Sequence, residues 1–211
     1  MTALRPLVCA HRGASEELPD NSLAAFEAAI VAGAAAIETD VRADGQGRLV
    51  LAHDPLAPGQ DPVTLAEGRI GLDLELKESE HAPALAAAVG GWTGWLLVTA
   101  FDPAAIAEVR RRDRRIRTGL LIEAPVTVHP VLAAQRSGAN ALLWADELAT
   151  PTALRACADA ALSAWTWTVN APFRLAERLS EDGLEGVITD VPGLAVALAR
   201  SVSANADESR A

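Results

Sequence analysis

Four stretches of this 211-residue chain end an apolar run on side chains able to do chemistry. They are His11-Arg12 in "LVCAHRG", Glu38 and Asp40 in "AIETDVR", His53-Asp54 in "RLVLAHD", and Glu75 and Lys77 in "LDLELKE". Side chains two apart on a strand share a face, so Glu38 points with Asp40 and Glu75 with Lys77. Carboxylates gathered at strand ends repel one another and are costly to desolvate; either one takes up a proton or a cation neutralises them. An all-oxygen donor set without cysteine suits a hard divalent ion, Mg²⁺ or Ca²⁺. Imidazole titrates near neutral pH, so His11 and His53 beside such an ion can act as general acid and general base. Arg12 and Lys77 add the charge that a phosphate needs. Read from the residues alone, the set points to metal-assisted chemistry on a small phosphate compound.

Each feature has a plainer counterpart, since strand-terminal histidines are often merely packed and strand-end carboxylates often cap helices. The coincidence of acid, base or cation at four successive strand ends favours chemistry. Asp54 is expected to cap a turn or orient His53, and His81 and His129 are expected at the surface.

Positioning these groups is the task of nine strand-like runs. Besides the four above they are "WLLVTAFD", "RTGLLIE", "NALLWAD", "AWTWTVN" and "EGVITDVPG", most of them separated by Ala/Leu-rich helical stretches. Strand alternating with helix means parallel strands joined by crossovers. The turn "ADGQG" is a hairpin signal, so "AIETDVR" and "RLVLAHD" are expected as antiparallel neighbours or as one strand with a loop excursion, which leaves about eight βα units. Eight units favour a closed (β/α)₈ TIM barrel with its site at the C-terminal ends of the strands; at 211 residues the chain is short for such a barrel, so insertions must be minimal. Asn21 is a candidate N-cap, Pro103 an early-helix residue, and Gly33 and Gly138 candidate helix stops. No GxGxxG or P-loop follows the first strand, against dinucleotide and nucleotide binding. One domain is expected over residues 1–200, with the polar segment 201–211, "SVSANADESRA", as a disordered tail.

The net charge of −10 argues against nucleic acid as a partner. Cys9 and Cys157 sit in apolar stretches and are expected as buried free thiols. No segment reads as a signal peptide or a membrane anchor, and a cytoplasmic location is the default expectation.

In this order the motifs resemble those of the glycerophosphodiester phosphodiesterase family: HRG, a "PDNS" segment with "AAF", ExD, HD, "LDLELK", "TAFD", "WTWTVN" and "TDVPG". The resemblance spans residues 7–193. It implies a barrel that hydrolyses glycerophosphodiesters to glycerol 3-phosphate and an alcohol. It further implies that His11 and His53 are the acid/base pair and that Glu38, Asp40 and Glu75 hold one Mg or Ca ion. Arg12 and Lys77 would bind the phosphate, and Trp167 and Phe101 would line the substrate pocket. "PDNS" departs from the family's "PENT", and only 21 residues separate His53 from Glu75, a minimal insertion after the second histidine strand. Two other readings share the residues: a lysophospholipase D or sphingomyelinase D-like enzyme, for which Trp92 and Trp95 would be the lipid contact, and a non-catalytic phosphodiester-binding barrel.

Overall fold

The computed structural model describes residues 6–44, 46–51, 69–124 and 129–208. In chain order the elements are β1 (Leu7–His11), α1 (Leu23–Ala32), β2 (Ala36–Ala43), β3 (Leu49–Leu51), β4 (Gly71–Leu76), α2 (Ala82–Val89), β5 (Leu96–Ala100) and α3 (Pro103–Arg112). There follow β6 (Arg117–Ile122), α4 (Pro130–Ser137), β7 (Ala141–Ala145), α5 (Pro151–Asp159), β8 (Ser163–Trp167), α6 (Pro172–Leu179), β9 (Leu184–Thr189) and α7 (Pro192–Glu208). The sheet order β1-β9-β8-β7-β6-β5-β4-β2 closes through the β1–β2 pairing. Those strands are mutually parallel, whereas β3 pairs antiparallel to β2 with Val41 opposite Leu51. The expected eight-stranded barrel is therefore present, and the extra run forms the expected hairpin with β2.

Strand alternation divides the apolar residues into two layers. Ile37, Leu72, Leu74, Val98, Leu120 and Leu142 pack outward against helix residues such as Phe26, Leu85, Ile106 and Leu154. Cys9, Leu97, Leu121, Leu143, Trp165 and Ile188 fill the lumen. Each large side chain so buried contributes about 1.5–3 kcal/mol. Trp165 fits in the lumen because its neighbour in register is Gly186, where a Cβ would lie 2.1 Å from the indole. Trp95, just before β5, tilts against Trp165 with ring centroids 5.6 Å apart. Together they floor the barrel, leaving its polar chemistry to the other end.

That packing also engages both residues considered for a lipid contact. Trp95 is occupied by Trp165, and Trp92 donates its Nε1–H to the Trp95 carbonyl at 3.3 Å. Both precede β5 and so lie at the N-terminal face, away from the strand ends that carry His11 and Glu75.

Two helix starts combine a side-chain cap with a following proline. Asp102 accepts from the Ala104 N–H before Pro103, and Thr150 accepts from Ala153 before Pro151. Gly33 and Gly138 end α1 and α4 in the left-handed region, as expected. The last helix runs to Glu208, so residues 201–208 are helical where an irregular tail was expected. The segment lacks a strong apolar stripe but also lacks any Gly or Pro to stop a helix whose Ala195, Val196 and Ala199 are buried. Ser201 and Ser203 donate their hydroxyls to the carbonyls four residues back. Both cysteines are free and buried, as expected. No described helix is long and apolar enough to cross a membrane.

Candidate active site

Register alone assembles most of the site. His11 lies opposite Glu38, Glu38 opposite Asp73, and Asp40 opposite Glu75. All four acids point into the barrel mouth because they occupy alternate positions on neighbouring parallel strands. One oxygen each from Glu38, Asp40 and Glu75 can be chosen so that the three lie within 4.8 Å of one another. Among the described residues no other group of His, Cys, Asp and Glu has that geometry.

Asp40, fully buried, is the hub. Its Oδ1 lies 2.7 Å from Lys77 Nζ, and its Oδ2 lies 3.0 Å from both Arg12 Nε and Asn21 Nδ2. Burial works against its charge, but Lys77, Asn21 and Arg12 outweigh that and hold the carboxyl below its ordinary value. Glu38 is pushed the other way, well above its ordinary value, first by burial and then by the charges of Asp40, Glu75 and Asp73. Its buried Oε1 has no hydrogen-bond partner among the described residues. Clustered oxygens, one of them orphaned, and a carboxyl whose charge lacks compensation form a donor set that fits a hard divalent cation.

The turn after β1 brings Arg12 and His11 to this cluster. Arg12 adopts a left-handed φ of 56°, with its N–H donating to the Glu38 carbonyl at 2.8 Å. Gly13 follows at φ 92°, and a Cβ there would lie 2.6 Å from the Ala25 backbone. Only glycine allows α1 to pack so closely beneath the turn. Ser22, not Asn21, caps α1, accepting from the Ala25 N–H at 3.2 Å. Asn21 instead sits at φ 55° with its amide in the site, accepting from Thr39 Oγ1 and donating to Asp40. Its left-handed backbone excludes it from the extended cap position and aims it inward.

His11 meets a carboxylate from the far end of the chain. Its Nδ1 lies 2.6 Å from Asp190 Oδ1, just after β9. Ser15 Oγ and Asn170 Nδ2 also donate to Asp190, at 2.9 and 2.5 Å. Burial works to raise this carboxyl, but the hydrogen bonds from His11 and Asn170 prevail and hold it at about 2. An ionised acceptor on Nδ1 assigns the proton to that nitrogen and turns Nε2 towards the site, 3.8 Å from Glu38 Oε2.

A cavity of about 210 Å³ opens above these groups. His11, Arg12, Glu38, Glu75 and Lys77 line one side, and Phe101, Glu123 and Trp167 line the other. Phe101 and Trp167 meet edge to face with centroids 5.7 Å apart. Asp40 supports the floor through Lys77. Arg12 is also paired with Asp20 at 2.8 Å, and Lys77 with Glu75. Thus eight of the nine expected site residues converge. His53, with Asp54 and the short insertion that follows, lies outside the described residues. His81 is half-buried beside α2, and His129 is exposed at the start of α4. Neither lines the cavity.

Asp73, Asn21, Asp190 and Glu123 were not among the expected site residues. Asp73 was legible in principle, being two residues before Glu75 on one strand. It is buried and accepts from Thr99 Oγ1 at 2.8 Å, yet burial, abetted by the Glu75 charge, pushes it up to about 8. The unfolded carboxyl ionises at about 3.9, so between about pH 4 and 8 the folded state must hold a proton that the unfolded state releases. This penalty grows with pH across that window. In metal-free protein, Asp73→Asn keeps the acceptor for Thr99 and removes the penalty. At pH 7 it is expected to stabilise the fold by about 1–4 kcal/mol, raising Tm by several degrees. The gain should vanish at about pH 3. Thermal unfolding at both pH values checks this; a lower Tm at pH 7 would show that the charged form of Asp73 supports the fold.

Comparison with known proteins adds three findings. Residues 11–64 and 73–194 match the model of the glycerophosphoryl diester phosphodiesterase family. A glycerophosphodiester phosphodiesterase of Caldanaerobacter subterraneus subsp. tengcongensis is 25% identical over 246 residues, covering 93% of this chain and 99% of the relative. Among solved structures, the glycerophosphodiester phosphodiesterase of Thermotoga maritima superposes with a TM-score of 0.74 at 23% identity, over 94% of this chain and 99% of that one. An Oleispira antarctica phosphodiesterase, solved with its product sn-glycerol-3-phosphate, gives 0.79 at 22%, over 92% and 96%. These structural likenesses establish the barrel.

Proposed function

The chain belongs to the glycerophosphoryl diester phosphodiesterase family, and from that premise we propose that it hydrolyses glycerophosphodiesters to glycerol 3-phosphate and an alcohol, with Mg²⁺ or Ca²⁺ as cofactor. The observation that carries this reading is the oxygen cluster of Glu38, Asp40 and Glu75 beside the free nitrogen of His11. These three carboxylates would hold the ion. When bound, a divalent cation supplies positive charge for the phosphate oxygens and the glycerol hydroxyls as charge builds during attack.

The remaining chemistry belongs to side chains. His11, its Nδ1–H committed to Asp190, exchanges a proton at Nε2, and His53 is its complement. One imidazole takes the proton of the nucleophile, water or the glycerol 2-hydroxyl, and the other gives a proton to the departing alkoxide. Arg12 and Lys77 attract the phosphate to the acidic floor. Phe101 and Trp167 receive the alcohol and keep bulk water from it.

The test is glycerol 3-phosphate release from dissolved glycerophosphoglycerol against release of head group from lysophospholipid micelles, with divalent ion supplied. Turnover of the dissolved substrate is expected. Turnover of micelles alone would replace this reading with lipid phosphodiester hydrolysis, and phosphodiester binding without turnover would make the barrel a binding protein.

A further inference from the structure

The ring of His11 is held by a chain of contacts that lies outside the cavity. Asp190 Oδ1 takes the imidazole Nδ1 at 2.6 Å. Two side chains hold Asp190 in turn, and they are not equivalent. Ser15 Oγ lies 2.9 Å from Asp190 Oδ1 and 2.7 Å from the His11 carbonyl, so its single proton is shared between two acceptors. Asn170 commits a whole amide. Its Nδ2 donates to Asp190 Oδ2 at 2.5 Å, while its Oδ1 accepts from the Asp190 backbone N–H at 2.9 Å and from Thr189 Oγ1 at 3.1 Å. One side chain thus grips both the main chain and the far carboxylate oxygen of Asp190. The preceding residue pins Asn170 in place: Val169 is buried, and its N–H donates to the Ile188 carbonyl at 3.0 Å. Asn170 itself is exposed and does not line the cavity.

Resting on the function proposed above, we infer that Asn170 is a positioning residue of the reaction: it fixes the Asp190 carboxylate and, through it, the ring of His11. An exposed amide has water for alternative partners, so these three bonds gain the fold little. Their directions matter more. With Oδ2 held by Asn170 and Oδ1 left to His11, the carboxylate cannot turn without breaking a bond at each oxygen. Nδ1 then keeps its proton towards Asp190, and Nε2 stays turned towards Glu38. Released on one side, the carboxylate turns and takes up water, and the imidazole samples both tautomers and other tilts. The residue type follows from the same contacts. Asn170→Asp keeps both acceptor bonds but replaces the donor to Asp190 by a second carboxylate, which repels it.

The experiment measures kcat and KM on glycerophosphoglycerol in the ion-loaded full chain for Asn170→Ala and Asn170→Asp, each alone and combined with Asp190→Asn. In either single variant kcat is expected to fall by about tenfold to a hundredfold with KM within about twofold, because the histidine's support is lost and not a substrate contact. On the Asp190→Asn background the further loss should shrink to under about threefold, since the effect passes through Asp190. Wild-type kcat in either variant, a loss confined to KM, or the full loss repeated on that background would overturn the inference while leaving the hydrolysis reading intact. Nitrogen NMR of ¹⁵N-labelled imidazoles, with His11 assigned by comparison with His11→Gln, reads the same coupling without turnover. The Nδ1-protonated tautomer of the wild type should give way to a mixture in both variants; an unchanged tautomer would overturn the inference. Failure of every protein, wild type included, to release glycerol 3-phosphate would overturn the hydrolysis reading, and the imidazole spectra would then decide on Asn170 by themselves.

Discussion

Replacing His11 with alanine is expected to lower kcat on a dissolved glycerophosphodiester by about 10²–10⁴-fold, with the barrel still folded. The imidazole is partly exposed at the end of β1, so its removal opens no deep cavity. Asp190 keeps the hydrogen bonds from Ser15 and Asn170 and loses one of its side-chain partners, a change of about 1 kcal/mol. What disappears is Nε2, the nitrogen turned towards Glu38 in the cavity. His53→Ala is expected to fall on the same scale. Asp190→Asn should also lower kcat although both histidines remain, because a neutral amide no longer dictates which ring nitrogen bears the proton. Its pH–rate profile should move with it, which a purely structural role would not produce. Steady-state rates at saturating substrate, with circular dichroism as a control on folding, make the check. Near-wild-type turnover in either histidine variant would remove that residue from the mechanism.

Asp40→Asn is expected to cost about 3–5 kcal/mol of stability and to abolish ion binding in the same step. Asp40 has no exposed surface and faces two cations that are themselves largely shielded, Arg12 and Lys77. Neutralising it leaves both with one partner fewer in a site where solvent compensates little. The sign of the pH dependence follows from the same contacts. Because the folded carboxyl is held below its unfolded value, its stabilisation is fully present above about pH 4 and is lost as pH falls through the lowered value. Urea unfolding of wild type and variant at pH 7 and pH 3 should therefore show a gap that narrows in acid. A variant as stable as the wild type at pH 7 would mean that Lys77 and Arg12 gain nothing from Asp40.

The barrel was legible because the strand-like runs were short and apolar and most were followed by a helix, and strand parity placed Glu38 with Asp40 and Glu75 with Lys77. What parity cannot supply is which strands are neighbours. The contact between His11 and Asp190 joins positions 179 residues apart, made adjacent by the β1–β9 pairing that closes the barrel. The "TDVPG" segment was visible as a motif, but its aspartate had no readable partner. Asn21 looked like a helix cap because Asn favours caps; its left-handed backbone, invisible in the residue type, sends the side chain to Asp40 instead. Glu123 is an ordinary acid after an ordinary strand, and closure of the sheet brings it to the same cavity as Lys77. The helical stretch 201–208 was missed for a simpler reason: Ala and Ser can extend a helix already nucleated by packing without showing an apolar stripe of their own.

We propose that hydrolysis depends on an ion held by the carboxylates of Glu38, Asp40 and Glu75. The most direct test is the release of glycerol 3-phosphate by chelator-treated protein as Mg²⁺ or Ca²⁺ is restored, with Tm followed in the same samples. Negligible release is expected without ion, with recovery on titration and a parallel rise in Tm as the ion binds the folded state. In Glu38→Gln both responses should be strongly weakened. Full activity after exhaustive chelation, or recovery as complete in Glu38→Gln as in the wild type, would contradict it.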